Sequence, residues 1–131
     1  MTDYDASGTG GVATNETGAL IAASKVEGTN VYNRQGESLG SVYDVMLDKR
    51  SGKVAYAVMS FGGFLGMGES YHPLPWSILE YDESQGGYIV DLNKDDLEGA
   101  PSYDDGTNPD WSNPEYSRGI DDYYGVRRPM L

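Results

Sequence analysis

No cysteine occurs among the 131 residues. That removes disulfides, thiolate nucleophiles, iron–sulfur clusters and cysteine-based zinc sites. Histidine occurs once, so a Ser-His-Asp triad or a histidine metal site would rest on His72 alone. Bases are scarce: 9 Lys and Arg stand against 21 Asp and Glu, a net charge of −12. A field of that sign repels phosphate backbones and anionic headgroups, so nucleic acid and anionic lipid are not expected partners. Long apolar runs are missing too. The longest, Ala19 to Ala23, is far short of the ~20 residues a membrane helix needs, and no direct membrane insertion is expected. Met1 to Gly11 carries acids and no base, unlike a secretory signal. The expectation that remains is a small, soluble, acidic, cytoplasmic domain.

Glycine is plentiful, with 18 residues beside 6 prolines, a loop-rich composition short of the low-complexity range. Residues 1–18 are rich in Gly, Ser, Thr and Ala without regular apolar spacing, and read as a flexible acidic arm. Ser24-Lys25-Val26-Glu27 has the spacing of a capping box, and Gly28 stops the turn at once. Val31-Tyr32 then enters a strand, and Asn33-Arg34-Gln35-Gly36 supplies a turn.

Two longer strands carry the core. Along the first, strict alternation puts Leu39, Tyr43, Val45 and Leu47 on one face and Val42 and Met46 on the other. Asp48 to Gly52 is a turn. Along the second, Val54, Tyr56 and Val58 alternate with Ala55, Ala57, Met59 and Phe61. Both faces are apolar, so this strand is central, with something packed on its second face. Pro73 and Pro75 place the next extended piece at a sheet edge or corner. Ile78–Tyr81 and Tyr88–Leu92 form a second hairpin, and one helical turn runs from Asn93 or Lys94 through Leu97 to Gly99 and Pro101.

The ordered series Gly28-Thr29-Asn30-Val31-Tyr32-Asn33, Gly36 to Val45, Ser51 to Val58, Phe61 to Gly68, Leu74-Pro75-Trp76 and Asp95-Leu97-Ala100-Pro101 resembles the PRC-barrel domain family. The match spans roughly residues 20–102. The resemblance implies an all-β fold: a small six-stranded antiparallel PRC-like β-barrel with one or two single-turn helices, over residues 19–102. It also implies protein docking rather than a shared catalytic constellation. The family's domain occurs in the cytoplasmic part of the photosynthetic reaction-centre H subunit and in the C-terminal half of a ribosome maturation factor.

Residues 103–131 follow as an acidic, aromatic tail. Tyr103, Trp111, Tyr116, Tyr123 and Tyr124 are spaced through Asp, Asn, Gly and Pro. The tail is expected to lie extended on a surface, its own or a partner's, with the rings as anchors.

No candidate for catalysis, cofactor or metal survives inspection. Gly62 to Gly68 lacks the Lys-Ser/Thr or helix start of a phosphate loop, and leads to Glu69. Asp104-Asp105-Gly106-Thr107-Asn108 fails the calcium-loop spacing, and Asp95-Asp96 and Asp121-Asp122 read as solvated charge. A lone His72 beside Pro73 reads as a polar strand residue. The expected function is therefore a non-enzymatic docking or scaffold module that binds protein, first of all a second copy of itself. Phe64, Leu65, Met67 and Trp76 near the Gly-rich bend, with Tyr103, Trp111 and Tyr116 in the tail, are the expected contacts. The alternatives are an assembly factor that binds a basic ribosomal protein, or a peripheral subunit of a photosynthetic or redox membrane complex.

Overall fold

The computed structural model describes residues 19–62, 69–104 and 106–126. Seven strands are present there: β1 (Asn30–Tyr32), β2 (Ser38–Leu47), β3 (Val54–Gly62), β4 (Glu69–Pro75), β5 (Glu80–Asp82), β6 (Gly87–Ile89) and β7 (Tyr103–Asp104). They join α1 (Ala23–Val26), α2 (Lys94–Glu98) and α3 (Pro114–Tyr123), with a 3₁₀ turn over Trp76–Ile78. The fold is all-β, as the sequence predicts, but differs from a six-stranded antiparallel barrel in three respects. The tail adds β7, β1 and β6 run parallel, and the ladder β5-β6-β1-β2-β3-β4-β7 stays open between its first and last strands among the described residues.

Local signals account for most of the turns. The Asn33 side-chain oxygen accepts from the backbone N–H groups of Gln35 and Glu37 at 3.0 and 2.9 Å, and fixes the turn after β1. Asp48 does the same for Arg50 and Ser51, at 2.9 Å each, between β2 and β3. Asn93 caps α2 through Asp96, whose carboxylate returns to the Asn93 N–H at 3.0 Å. The expected capping box at Ser24 is absent. Here α1 starts two residues earlier, its N-cap is Ala22, and no side chain caps it.

One core cluster draws on β1, β2, β3, β4 and β6. Val31, Leu39, Val42, Ala57, Met59, Leu74 and Tyr88 meet Val26 of α1, Val90 and Leu97 of α2. Strict alternation fails along β2, and the reason is a β-bulge. The register passes from Val42↔Met59 to Asp44↔Val58, so β2 holds one extra residue, Tyr43. That insertion puts Val45, paired with Ala57, on the same side as Val42. A separate irregularity in the β1–β2 register, from Val31↔Gly40 to Tyr32↔Ser38, lets Leu39 share the core with Val42. Val45 packs against it, and Tyr43 stands on the outer face, 51% exposed.

Between β3 and β4 the register is unbroken from Tyr56↔Pro75 to Gly62↔Glu69. Ala57, Met59 and Leu74 thus point inward, while Tyr56, Val58, Tyr71, Pro73 and Pro75 share the outer face. All five of these outer residues are buried, which agrees with a strand apolar on both sides. The two prolines sit at alternate positions, so both missing N–H groups fall on one edge of the strand.

The tail is helical where an extended course is expected. Asn113 caps α3 by accepting from the Glu115 N–H, and Pro114 occupies its first turn. Gly125, at φ +69°, closes it, and the Val126 N–H reaches the Asp121 oxygen at 2.8 Å. Tyr116, Ile120 and Tyr124 lie four residues apart, one helical face. Gly119 sits inside this helix, and a Cβ there would meet nothing within 4 Å. Gly119→Ala is therefore expected to stabilise the protein by about 0.5–1 kcal/mol, readable as a rise in the midpoint of thermal unfolding.

Candidate interaction surface

Aromatic side chains gather on the outer face of the sheet. Register brings Tyr103 of β7 beside Tyr71 of β4, and the bulge tips Tyr43 towards them. The Tyr43 and Tyr71 centroids are 4.4 Å apart, and those of Tyr71 and Tyr103 are 5.4 Å apart. A second group follows beneath the helix. Trp111 lies 5.7 Å from Tyr56 and meets Tyr116 edge to face at 5.1 Å. The two groups adjoin: burial raises the Tyr103 hydroxyl to about 12, with Tyr116, Tyr43, Asp44 and Tyr71 adding to the effect. Burial pushes the Tyr116 hydroxyl up as well, and that oxygen is buried without a hydrogen-bond partner among the described residues.

α3 is clipped to the domain through its second half. Near its last turn the Tyr56 hydroxyl donates to the Asp121 carboxylate at 2.9 Å, a buried contact. At its end the Tyr123 hydroxyl donates to the Asp96 backbone oxygen of α2 at 2.5 Å, and Tyr124 packs on the core cluster. Ile120, just ahead of these clips, is fully buried. A hydrogen bond to a carboxylate in such a setting contributes roughly 1.5–3 kcal/mol.

The expected contact residues divide into three groups. Tyr103, Trp111 and Tyr116 lie together in this aromatic layer, each partly covered by its own chain. Trp76 lies elsewhere: it packs against the core cluster and meets Tyr88 edge to face at 5.4 Å. Phe64, Leu65 and Met67 lie outside the described residues. The sequence reading missed Tyr43, Tyr56, Ile120 and Asp121. Tyr43 depends on a bulge that no residue type announces. For α3 the signals were present, in Asn113-Pro114-Glu115 and in the four-residue spacing through Ile120.

His72 lies on the inner face, buried. Its Nε2 is 3.1 Å from the Ser70 hydroxyl, and the ring stands edge-on to Phe61 at 5.3 Å. Its Nδ1 has no hydrogen-bond partner among the described residues. Burial holds the ring below its ordinary 6.5, so the unfolded chain binds a proton that the folded chain refuses. Stability is then complete above about pH 6.5 and falls as the pH drops below it, by up to about 1.4 kcal/mol per pH unit. Urea denaturation between pH 7 and 5 measures this slope, and His72→Leu is expected to flatten it.

An open depression is lined by Arg34, Ile78, Leu79, Asp91, Asp96 and Tyr123. Arg34 already bridges Glu80 at 3.4 Å and Asp91 at 4.0 Å there, in exposed pairs. Such pairs add little stability. Among the described residues no group of three or more His, Asp or Glu could hold a metal ion, and no helix is long and apolar enough to cross a membrane.

Comparison with known proteins bears on the sheet and its first two helices. The model of the PRC-barrel domain matches residues 19–97, from ahead of α1 to within α2. No curated protein matches the chain. Residues 98–131, with β7 and α3, lie beyond the matched domain.

Proposed function

The chain belongs to the PRC-barrel domain family, and we propose that it works as a non-enzymatic docking or scaffold module that assembles as a homodimer. The observation that carries this reading is the aromatic layer on the outer face of the sheet. It reaches solvent at Tyr43, 51% exposed. Large amphipathic rings are the side chains that dominate protein contacts, because they bury much area at small entropic cost. Tyr43, Tyr103, Trp111 and Tyr116 are the contacts proposed from this layer, with Phe64, Leu65 and Met67 as a second group on the Gly-rich segment. The chemistry available elsewhere argues in the same direction: the one histidine is buried on the inner face, out of reach of a substrate.

Static light scattering at ~100 µM tests the homodimer. The expected mass is twice the 14.2 kDa of one chain, and a mass of one chain overturns it. With −12 on each copy, association should tighten as salt screens the repulsion, the Debye length shrinking from about 30 Å at 0.01 M to about 8 Å at 0.15 M.

The same charge favours one other reading, docking on a basic protein. A factor that binds a basic ribosomal protein, or a peripheral subunit of a photosynthetic or redox membrane complex, would use it in that way. Co-sedimentation with ribosomes or with membranes at low salt is the expected outcome, and salt should abolish it.

A further inference from the structure

The outer face of β3 and β4 is shaped to receive a helix, and the chain supplies that helix from outside its family domain. Tyr56, Val58, Tyr71, Pro73 and Pro75 are buried on this face, and α3 packs against it. Uncovered, these five side chains would form a contiguous apolar patch of the kind that marks an interaction site. The domain match ends at Leu97, so the matched portion stops short of the helix that covers the patch.

We propose that this face is a helix-docking groove whose partner in the dimer is α3 of a second copy, exchanged reciprocally. The inference rests on the homodimer reading above. Its occupant follows from the fit. A helix for this groove needs an aliphatic side chain at the position of Ile120 and a carboxylate one residue later for the Tyr56 hydroxyl. It also needs aromatic rings ahead of it to stack on Tyr56 and lie beside Tyr103. A second copy carries all three by construction, and contacts made within one chain can be remade between two at no loss.

The connection permits it. Between β7 and the cap of α3 run Asp105-Gly106-Thr107-Asn108-Pro109-Asp110-Trp111-Ser112. Gly106, at φ +87°, and the bond from the Thr107 N–H to the Asp104 oxygen at 3.0 Å form a turn there. Opening that turn redirects everything from Trp111 onward as one unit, including the two clips at Asp121 and Tyr123. α3 itself spans only ten residues with a glycine inside, too short to persist undocked. It therefore passes from one groove to another rather than standing free. Tethering favours the intrachain arrangement, and high protein concentration or a shortened linker shifts the balance towards exchange.

Complementation tests the idea on the full chain. Tyr56→Ser spoils the groove and leaves the helix intact, whereas Ile120→Ser spoils the helix and leaves the groove intact. Each variant alone should dimerise at least about tenfold more weakly than the natural chain. Mixed in equal amounts and passed through mild denaturant, the two should recover a particle of twice the chain mass, because one intact groove then meets one intact helix. A natural dimer that neither variant weakens, or a mixture that stays monomeric, overturns the exchange while the docking reading stands on its own light-scattering result. A natural chain that remains monomeric through the same cycle overturns both. Should either variant fail to fold, deletion of Thr107 and Asn108 provides the second test. Shortening the connection by about 7 Å should strain the intrachain arrangement and tighten dimerisation by about tenfold or more, and an unchanged monomer after that deletion overturns the exchange.

Discussion

Gly40→Ala is expected to lower the stability of the protein by at least about 3 kcal/mol, measured as a shift of the urea midpoint at unchanged slope. Gly40 lies in β2 opposite Val31 of β1. A Cβ added there would run into the backbone oxygen of Ser60 and come within 3.3 Å of the Met59 Cγ. Neither obstacle can step aside. Ser60 is held between Ser41 and Tyr71 by pairing on both sides, and Met59 is fully buried. The strands themselves would have to part, in the middle of the longest ladder in the molecule. Gly52→Ala is the natural comparison. That glycine sits in the β2–β3 turn at φ +77°, with nothing within 4 Å of an added Cβ. Its substitution costs about 1 kcal/mol through backbone conformation alone. If Gly52→Ala proved the more damaging of the two, the close approach of β2 to β3 would not be what Gly40 provides.

Gly40 also marks the boundary of what could be read from the residues. Turn chemistry was legible because it is local: Asn33, Asp48 and Asn93 each satisfy backbone groups within four residues of themselves. The doubly apolar β3 was legible because both faces are written along one strand, and it correctly required a second layer. Which segment supplies that layer was not. Tyr116, Ile120 and Tyr124 carry a helical spacing, but Ser117, Gly119 and two aspartates between them are weak helix formers. Packing on Tyr56, not propensity, makes the helix. Tyr43 shows the same limit from the other side. Period-2 reasoning placed it with Leu39, and the irregularity in the β1–β2 register at Leu39 separated the two. A bulge is a relation between two strands, so neither strand's sequence displays it alone. The strand count failed for a related reason: β7 is two residues of the tail that pair only because β4 offers an edge at Ser70 and Tyr71.

Ile120→Ala should have the other large effect, and its distribution matters more than its size. Ile120 is the fully buried aliphatic residue of α3, so truncation removes the apolar centre of the docked face at a cost of about 3 kcal/mol. If α3 and the sheet were one cooperative unit, the loss would appear everywhere, as it should for Leu74→Ala in the main core. A helix that can leave one groove for another must instead open by itself. The expected outcome is that amide exchange quickens by about a hundredfold over Pro114–Tyr123, the equivalent of roughly 2.7 kcal/mol, while the amides of β2 and β3 change far less. Trp111 should report the same event optically, its emission moving to the red as it leaves Tyr56. Uniform acceleration through β3 as well as α3 would mean that the helix cannot open without the sheet. A groove that exists only while its own helix is in place could not serve a second copy. The exchange proposed for the dimer would then have to give way to an interface built on the exposed end of the aromatic layer, at Tyr43.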